Sequence, residues 1–355
     1  MKKYVVLIIL LILPFNVKAY TTSASSAILM DMDSGNIIYG KDINEVRSIA
    51  SISKIMTAIV AIEANKLNDI VTIDDTILKA YGSGIYIKQN EQISLEALIY
   101  GLMLRSGNDA SLAIASYVGG NVTNFITMMN KKAQEIGMRN TVFNNPNGLD
   151  DNGGNKASAY DMALLTSYAM KNDIYKKIVK TKKYTAKTNM NNYVWTNKNK
   201  LLFNYKYTTG GKTGFTDIAK RTLVTTASKN NINLVAVTLN DGNDFTDHTN
   251  LFEEAFKEYT NYIILKKGNI NIIDEQYYLN DKLYIENNYS YNLKDNHNKV
   301  VLNYKLEKKR EYKSKDEVGI IEVVINNKKV HEEKIYVLKT NKLSIWNKLK
   351  VWFKW

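Results

Sequence analysis

Cysteine is absent from this chain of 355 residues. No disulfide can therefore stabilise the protein, and no thiolate can serve as a nucleophile or metal ligand. Proline occurs only twice, which argues against a proline-rich disordered linker. Histidine occurs three times, at scattered positions that do not form a metal site. Stability must come from a buried core, and the length allows two domains.

The chain is strongly basic, with a formal net charge of +13. Nucleic acid is one partner that such a charge can serve. The lysines are scattered, however, and form no recognisable nucleic-acid motif. We therefore expect no nucleic-acid partner, and attraction to an anionic envelope or membrane surface is the better explanation of the charge.

The N-terminal residues have the features of a secretory signal peptide. Lys2 and Lys3 precede an apolar run over residues 4–15, and the small residues around Ala19 offer a cleavage point. A membrane-spanning anchor needs about 20 apolar residues, and this run is shorter. We expect export, with a mature chain that begins near Tyr20.

The C-terminal residues 342–355 predict an amphipathic helix on a membrane surface. Helical spacing places one set of apolar side chains on a single face: Ile345, Trp346, Leu349, Trp352 and Phe353. Lysines off that face can meet lipid headgroups while the tryptophans sit at the interface. The alternative is a last helix packed on the protein body, but tryptophans among lysines favour the membrane.

Between the termini, the pattern changes near residue 264. Before it, helical and strand signals are mixed, starting with a predicted hairpin of Ser26–Asp31 and residues 36–40. After it, short segments rich in Val, Ile and Tyr predict a small β domain. The expected organisation is a signal peptide at 1–19, a catalytic α/β domain at 20–263, a β-rich domain at 264–340 and an amphipathic anchor at 341–355.

Three short strings carry candidate chemistry: Ser51-Ile-Ser-Lys54, Ser106-Gly-Asn108 and Lys212-Thr-Gly214. Ser51 begins an apolar-periodic stretch that predicts a helix to about residue 65. Lys54 lies three residues further on and hence on the same helical face. Helix capping alone explains Ser51, but it does not explain the other two strings.

The second and third strings fall on a predicted loop and a predicted edge strand. Ser106 and Asn108 lie between predicted helices at 94–104 and 109–117, where Gly107 gives the backbone freedom. Taken alone, this serine is more simply a helix cap. Lys212 precedes two strand candidates at 222–227 and Ile232–Leu239, which places it beside a cleft.

Together the strings supply the groups of a serine acyl-enzyme. The hydroxyl of Ser51 needs a base to take its proton, and Lys54 is the candidate. A free lysine titrates near ~10.4, so burial and the like charge of Lys212 must lower its pKa. Lys212 then stays charged and attracts a carboxylate. Ser106 bridges the two amines and passes a proton to the leaving amine. No metal or organic cofactor is needed.

The chain resembles the low-molecular-mass penicillin-binding proteins that are serine-type D-alanyl-D-alanine carboxypeptidases. The ordered triplet S-x-x-K, S-x-N and K-T-G is typical of that family and of serine β-lactamases. Further runs that resemble the family are residues 26–35, 55–58, 143–149 and 160–163. The resemblance implies an α/β (α+β) transpeptidase-like domain with an antiparallel sheet and flanking helices, then a small all-β domain and a C-terminal amphipathic helix.

The resemblance also implies an activity and its partners. The substrate is the peptidoglycan stem pentapeptide that ends in D-Ala-D-Ala, and β-lactam antibiotics are covalent inhibitors. The enzyme then works at the outer face of the cytoplasmic membrane, in the cell-wall compartment.

Carried over to this sequence, the family's motif gives each residue a role. Ser51 is the nucleophile, Lys54 the proton acceptor and Ser106 the hydroxyl of the relay. Asn108 binds the acyl-side amide. Lys212 and Thr213 hold the terminal carboxylate, Gly214 lets the ligand backbone come close, and the N–H groups of Ser51 and Phe215 form the oxyanion hole.

Two positions depart from the family's pattern. Lys198 stands where an arginine is usual, and His248 falls where another arginine often helps to hold the carboxylate. Lysine lacks the bidentate fork of arginine, and neutral histidine lacks the charge as well. These changes put substrate affinity in doubt, not the reaction. His297 and His331 are interpreted as surface residues of the β domain.

Three alternatives stay open beside the carboxypeptidase. A class A β-lactamase is disfavoured because residues 144–151 contain no glutamate for rapid deacylation. An endopeptidase that cuts D-alanyl cross-links uses the same chemistry. A non-catalytic wall-binding scaffold is the rival from another class, and the intact hydroxyls and amines argue against it.

Overall fold

The structure is a computed structural model that describes residues 20–272, 277–278, 280–294 and 298–340. The predicted signal peptide at 1–19, the predicted anchor at 341–355 and His297 lie outside the described residues. Across the part that is described, none of the helices combines the length and apolarity needed to cross a bilayer.

Among the described residues, the helices lie between Ala50 and Glu258. The α-helices of the described residues are α1 Lys54–Glu63, α2 Leu95–Arg105, α3 Asn108–Gly119, α4 Val122–Ile136, α5 Ala159–Ala169, α6 Asp173–Lys180, α7 Leu201–Asn204 and α8 Asp244–Glu258. Short 3-10 helices occur at Ala50–Ser53, Asp75–Lys79 and Asp151–Gly153.

Strands alternate with these helices and then continue alone. The strands before α8 are β1 Ser26–Asp31, β2 Ile37–Lys41, β3 Arg47–Ser48, β4 Ile70–Thr72, β5 Gln92–Ser94, β6 Lys156–Ala157, β7 Lys183–Lys187, β8 Asn192–Thr196, β9 Thr208–Thr216, β10 Lys220–Lys229 and β11 Ile232–Leu239. The strands after α8 are β12 Tyr259–Leu265, β13 Gly268–Ile270, β14 Lys282–Ile285, β15 Tyr289–Lys294, β16 Val300–Leu306, β17 Glu317–Ile325 and β18 Lys328–Leu338.

The central sheet is antiparallel and has the strand order β2-β1-β11-β10-β9. All six residues of β1 are buried, because helices cover both faces of the sheet. One face packs on α5 and α1, and the other packs on α8 through Leu251, Phe252 and Ala255. The expected antiparallel sheet with flanking helices is confirmed, and β9 forms its edge.

Helix α1 runs through the centre of the main core. Nine of its ten residues are buried, from Lys54 to Ile62, so it is apolar nearly all round, as a fully enclosed helix must be. A buried lysine at the first position of such a helix is costly unless a specific environment accepts it. Lys54 therefore needs polar partners within the fold.

The predicted elements agree with the observed ones to within a few residues. The hairpin of β1 and β2, the two helices on either side of Ser106 and the pair β10 and β11 are all present. The prediction that Ser51 begins the α-helix is wrong in detail. Ser51 lies in the 3-10 turn Ala50–Ser53, and α1 begins at Lys54.

The described residues after α8 form strands and no helix, as expected for the β-rich domain. Strands β13-β14-β18-β17-β16 form a second antiparallel sheet with a small core of its own, around Val318, Ile321 and Ile335. Strand β12 pairs with β15 and spans the predicted boundary at 264, where the register of the pair shifts between Ile263 and Leu265. The position of that domain boundary therefore stays a prediction.

Candidate active site

Ser51 is presented by a tight turn at the start of α1. Ala50 has a φ of +49°, an uncommon backbone for a residue with a side chain, and the 3-10 turn that follows leads directly into the helix. This places the Nζ of Lys54 3.1 Å from the Oγ of Ser51. The predicted pairing of hydroxyl and amine is present.

Lys54 is fully buried and is held from three sides. Besides Ser51, its Nζ donates to Asn108 Oδ1 at 2.7 Å and to the backbone carbonyl of Asn147. The pKa of Lys54 lies well below its usual value because burial disfavours the ammonium, with Lys212 and then Lys198 adding like charges. Asp109 acts in the opposite direction. A lysine in this environment can be neutral and can accept a proton.

Ser106 is aimed by an unusual backbone conformation at the end of α2. It is the C-cap of that helix and lies in the left-handed region, with φ +64° and ψ +37°. This conformation turns the chain out of the helix. Its Oγ accepts a hydrogen bond from Lys212 Nζ at 3.1 Å. Two of the three strings therefore meet directly at this hydroxyl.

Lys212 reaches the same site from the edge strand β9. It is nearly fully buried, and its Nζ also donates to the carbonyl of Thr213 at 2.6 Å. Burial, together with the charge of Lys198, lowers the pKa of Lys212 to about 7. The expectation that Lys212 is charged when it meets a carboxylate stays a prediction.

Gly214 lets β9 approach the turn that carries Ser51. A Cβ at this position would lie 2.4 Å from Thr222 Oγ1 and 3.0 Å from the backbone nitrogen of Ser51. Only glycine fits without movement of the strand or the turn. The close approach brings the strand edge beside the nucleophile.

Phe215 follows at that edge, and its own N–H faces the cleft. Phe215 pairs with Arg221 of β10. The carbonyl of Arg221 accepts a hydrogen bond from the N–H of Asp241 at 3.0 Å, on the side of β10 that faces away from β9. The pair Phe215–Arg221 is thus a non-hydrogen-bonded one, in which the N–H groups point away from the partner strand. The N–H of Phe215 therefore lies on the free side of β9, toward Ser51.

Asn108 is the first residue of α3, and both ends of its amide are engaged. Its Oδ1 accepts from Lys54, and its Nδ2 donates to the carbonyl of Tyr81 at 2.6 Å. These bonds hold Lys54 in place, a positioning role that the sequence did not predict. Contact of Asn108 with a ligand amide stays a prediction.

The loop over residues 80–87 forms one wall of the cleft. Asp109 holds it by accepting the N–H groups of Ile85, at 3.0 Å, and of Tyr86, at 2.6 Å. The hydroxyl of Tyr81 donates to the carboxylate of Asp151 at 2.7 Å, across the cleft from the other wall. Both of these side chains are exposed.

The two departures from the family's pattern have different positions in the structure. Lys198 lies at the site, where its Nζ is 3.1 Å from Ser83 Oγ. His248 does not line the cleft. It is fully buried in α8, its Nε2 lies 3.1 Å from Thr238 Oγ1, and burial lowers its pKa to about 3. His248 is therefore a neutral core residue and offers no atom to a carboxylate.

Sequence reasoning missed Arg221. Its Nη2 lies 2.5 Å from Asp244 Oδ1, and its guanidinium stacks on the ring of Phe245 at 5.5 Å. Because cross-strand partners and residues two apart share a face of a sheet, Arg221 lies on the same face as Phe215 and Thr213. The signal available in the sequence was its position in the strand that follows the third string.

The arrangement is suited to nucleophilic acyl transfer. A hydroxyl adjoins a buried amine of lowered pKa, a second hydroxyl adjoins a second amine, and the N–H of Phe215 lies on the free side of the strand beside them. Among the described residues, no set of three or more His, Asp and Glu side chains is placed to hold a metal ion.

Comparison with known proteins agrees with this chemistry. The sequence pattern of a family described as D-alanyl-D-alanine carboxypeptidase matches residues 14–243. The D-alanyl-D-alanine carboxypeptidase DacF of Bacillus subtilis is 33% identical over 254 residues, which cover 69% of this chain and 65% of that protein. DacA of Haemophilus influenzae, with the same description, is 32% identical over 287 residues, 76% of this chain and 70% of that protein. The match thus spans just under two thirds of the Bacillus relative.

Solved structures show the same fold. Penicillin-binding protein 5 of Haemophilus influenzae has a TM-score of 0.73 at 26% identity and covers 91% of this chain and 98% of its own. A D-alanyl-D-alanine carboxypeptidase of Mycobacterium tuberculosis has a TM-score of 0.64 at 28% identity, over 67% of this chain and 92% of its own. The first similarity includes the later β region, whereas the second covers a smaller part of the chain.

Proposed function

Because this chain belongs to the D-alanyl-D-alanine carboxypeptidase family, we propose that it is a serine peptidase that removes the terminal D-alanine from peptidoglycan stem pentapeptides. The observation that carries the proposal is the pairing of Ser51 with Lys54 at 3.1 Å beside the pairing of Ser106 with Lys212 at 3.1 Å. The first pair makes a nucleophile, and the second pair can deliver a proton to a leaving group.

In the acylation step, Lys54 takes the proton of Ser51 as the Oγ attacks the carbonyl carbon of the penultimate D-alanine. The developing oxyanion accepts hydrogen bonds from the N–H groups of Ser51 and Phe215. The bond to the terminal D-alanine then breaks, and its amine receives, through Ser106, the proton that Lys54 took from Ser51, so that Lys54 is neutral again. Water attacks the ester in the second step, with Lys54 again as base.

Asn108 has two roles in this chemistry. Its hydrogen bond to Lys54 fixes the direction of the amine, and its Nδ2 can donate to the acyl-side peptide when the hydrogen bond to Tyr81 is released. β-Lactams carry an activated amide and a carboxylate, so we expect them to acylate Ser51 by the same route.

The substrate's terminal carboxylate is bound at the edge of β9. Lys212 and Thr213 provide the first contacts, because a carboxylate near Lys212 favours its charged form. We propose that Arg221 supplies the guanidinium that other members of the family often have at the position of His248. Its support is its place on the same sheet face as Thr213, its side-chain exposure of 45% and the fixed orientation given by Asp244.

The experiment that tests the activity is mass spectrometry of products from a pentapeptide muropeptide and from a cross-linked dimer. Loss of one alanine from the pentapeptide is the expected result. Separation of the cross-linked stems, with the pentapeptide left intact, would identify an endopeptidase and contradict the proposal. Ser51→Ala is the control that must be inactive on both substrates.

We also propose that the protein acts outside the cytoplasm, tethered to the membrane by residues 342–355. The support is the sequence pattern at both termini together with the wall-polymer substrate. Deletion of residues 342–355 is expected to move the enzyme from the membrane pellet to the supernatant, with hydrolysis of a soluble acyl-D-alanyl-D-alanine peptide nearly unchanged. Continued pelleting would exclude this segment as the tether.

A further inference from the structure

An open cavity of about 710 Å³ lies beside α5 and α6, on the face of the central sheet that these helices cover, and is far from the catalytic groups. Thr209 of β9 and Ser228 of β10 line it, whereas the site uses the opposite ends of these two strands, at Gly214 and Thr222. The cavity is therefore separate from the cleft at Ser51. Its volume is in the range of pockets that hold an extended small ligand.

The walls of this cavity carry an excess of positive charge. Four lysines line it, Lys171, Lys176, Lys177 and Lys180, against two aspartates, Asp33 and Asp173. Lys176 and Lys180 lie one helical turn apart on α6 and so present their ammonium groups on one face. A concave surface lined by one sign of charge concentrates ions of the other sign.

Part of this charge is not neutralised within the protein. Lys176 pairs with Asp173 at 2.9 Å, and Lys177 lies 3.5 Å from Glu96. In the part of the chain that is described, no carboxylate lies within 4.0 Å of Lys171 or Lys180. Of the two aspartates, Asp173 is paired with Lys176, whereas Asp33 accepts from Asn233 Nδ2 at 2.9 Å and lies near enough to Lys171 for their charges to interact. Neither Lys171 nor Lys180 is tied to a carboxylate, so both ammonium groups can turn to a bound anion.

We propose that this cavity binds a phosphate-bearing anion, with the ammonium groups of Lys171 and Lys180 on the phosphate oxygens. The size of the cavity favours a ligand with more than one phosphate or a phosphate joined to an organic group. Two sources share this chemistry: a soluble phosphate polymer and the headgroup of an anionic phospholipid. Either would hold the protein at an anionic surface without using the catalytic cleft.

The test uses the full chain and two variants with the same net charge. Lys171→Glu with Lys180→Glu reverses charge at the cavity, and Lys282→Glu with Lys308→Glu reverses charge at two exposed lysines of the β region as the control. Calorimetric titration with tripolyphosphate is expected to show binding to the wild type, a loss of at least about tenfold in affinity for the cavity variant and a change within about twofold for the control.

Labelling by a fluorescent penicillin, unchanged in both variants, verifies that they are folded. No binding by the wild type, or equal losses in the two variants, would overturn the proposal, because the second result means that net charge alone attracts the ion. Vesicles of equal parts phosphatidylglycerol and phosphatidylcholine distinguish the sources. Weaker vesicle binding by the cavity variant than by the control identifies a lipid headgroup, and equal vesicle binding with the tripolyphosphate loss identifies a soluble phosphate polymer.

Discussion

Lys212 Nζ lies 3.1 Å from Ser106 Oγ, although the two residues are 106 positions apart in sequence. One comes from an edge strand and the other from the left-handed cap of a helix. Their meeting depends on the packing of β9 beside α1 and the α2–α3 junction. The central sheet and helix α1 thus act as a rigid frame that brings the distant strings together.

Lys54→Ala is predicted to abolish acylation of Ser51 over the whole accessible pH range, because no other amine contacts Ser51 in the described structure. Loss of a general base lowers the rate by about 10²- to 10⁴-fold. The measurement is the rate of labelling by a fluorescent penicillin, with Lys66→Ala as an exposed control near the same helix. Robust labelling of the Lys54 variant near neutral pH would exclude Lys54 as the base.

Lys212→Met is predicted to stabilise the fold while it impairs substrate binding. The pKa of Lys212 is lowered to about 7 in the folded protein, whereas it is near ~10.4 in an unfolded chain. Below pH 7 both states hold the proton, and the buried charge destabilises the fold. Between pH 7 and about 10 only the unfolded state holds it, so this group makes stability rise with pH.

The stabilisation by Lys212→Met should therefore be largest at pH 7 or below and shrink toward pH 10. Thermal unfolding of variant and wild type across this range is the measurement, with Lys257→Met as a surface control. A gain that grows with pH would show that the sign of this argument is wrong.

Arg221→Ala is predicted to lower kcat/KM by about ten- to a hundredfold, mostly through KM, because a charged hydrogen bond to the substrate carboxylate is lost. Asp244→Asn should cause a smaller loss, since it only frees the guanidinium that Asp244 orients. Steady-state kinetics with an acyl-D-alanyl-D-alanine peptide is the measurement. An effect no larger than that of the exposed control Arg139→Ala would remove Arg221 from the site.

Gly148→Ala is predicted to destabilise the protein by at least about 2 kcal/mol. Gly148 has a φ of +82°, and the Cβ of an alanine at this position would lie 2.2 Å from the carbonyl oxygen of Ala50, beside the turn that carries Ser51. A Cβ at Gly242 would meet no atom within 4 Å, so Gly242→Ala should change stability little. Chemical denaturation of both variants compares them, and similar stabilities would contradict the described packing.

Much of the fold and the central chemistry could be predicted from the sequence. Local periodicity predicts β1, β10, β11 and the helices beside Ser106, because each buries one consistent set of apolar side chains. The three strings predict the residues that meet in the cleft, since each residue type has a distinct chemical task.

Other parts of the site depend on tertiary contacts that leave no local pattern. The carbonyl of Asn147 holds Lys54 through a backbone atom, which any residue could supply. Position in the sequence placed His248 at the carboxylate, whereas packing buries it against Thr238 and leaves Arg221 half exposed at the start of β10. The lowered pKa of Lys212 likewise follows from burial that the sequence does not reveal.

Covalent labelling by a fluorescent penicillin tests the central claim most directly. The wild type is expected to form an adduct that survives denaturation, with mass spectrometry placing it on Ser51, and Ser51→Ala is expected to form none. Folded wild-type protein that takes no label, or a Ser51→Ala variant that labels as fast as the wild type, would contradict the acyl-enzyme mechanism.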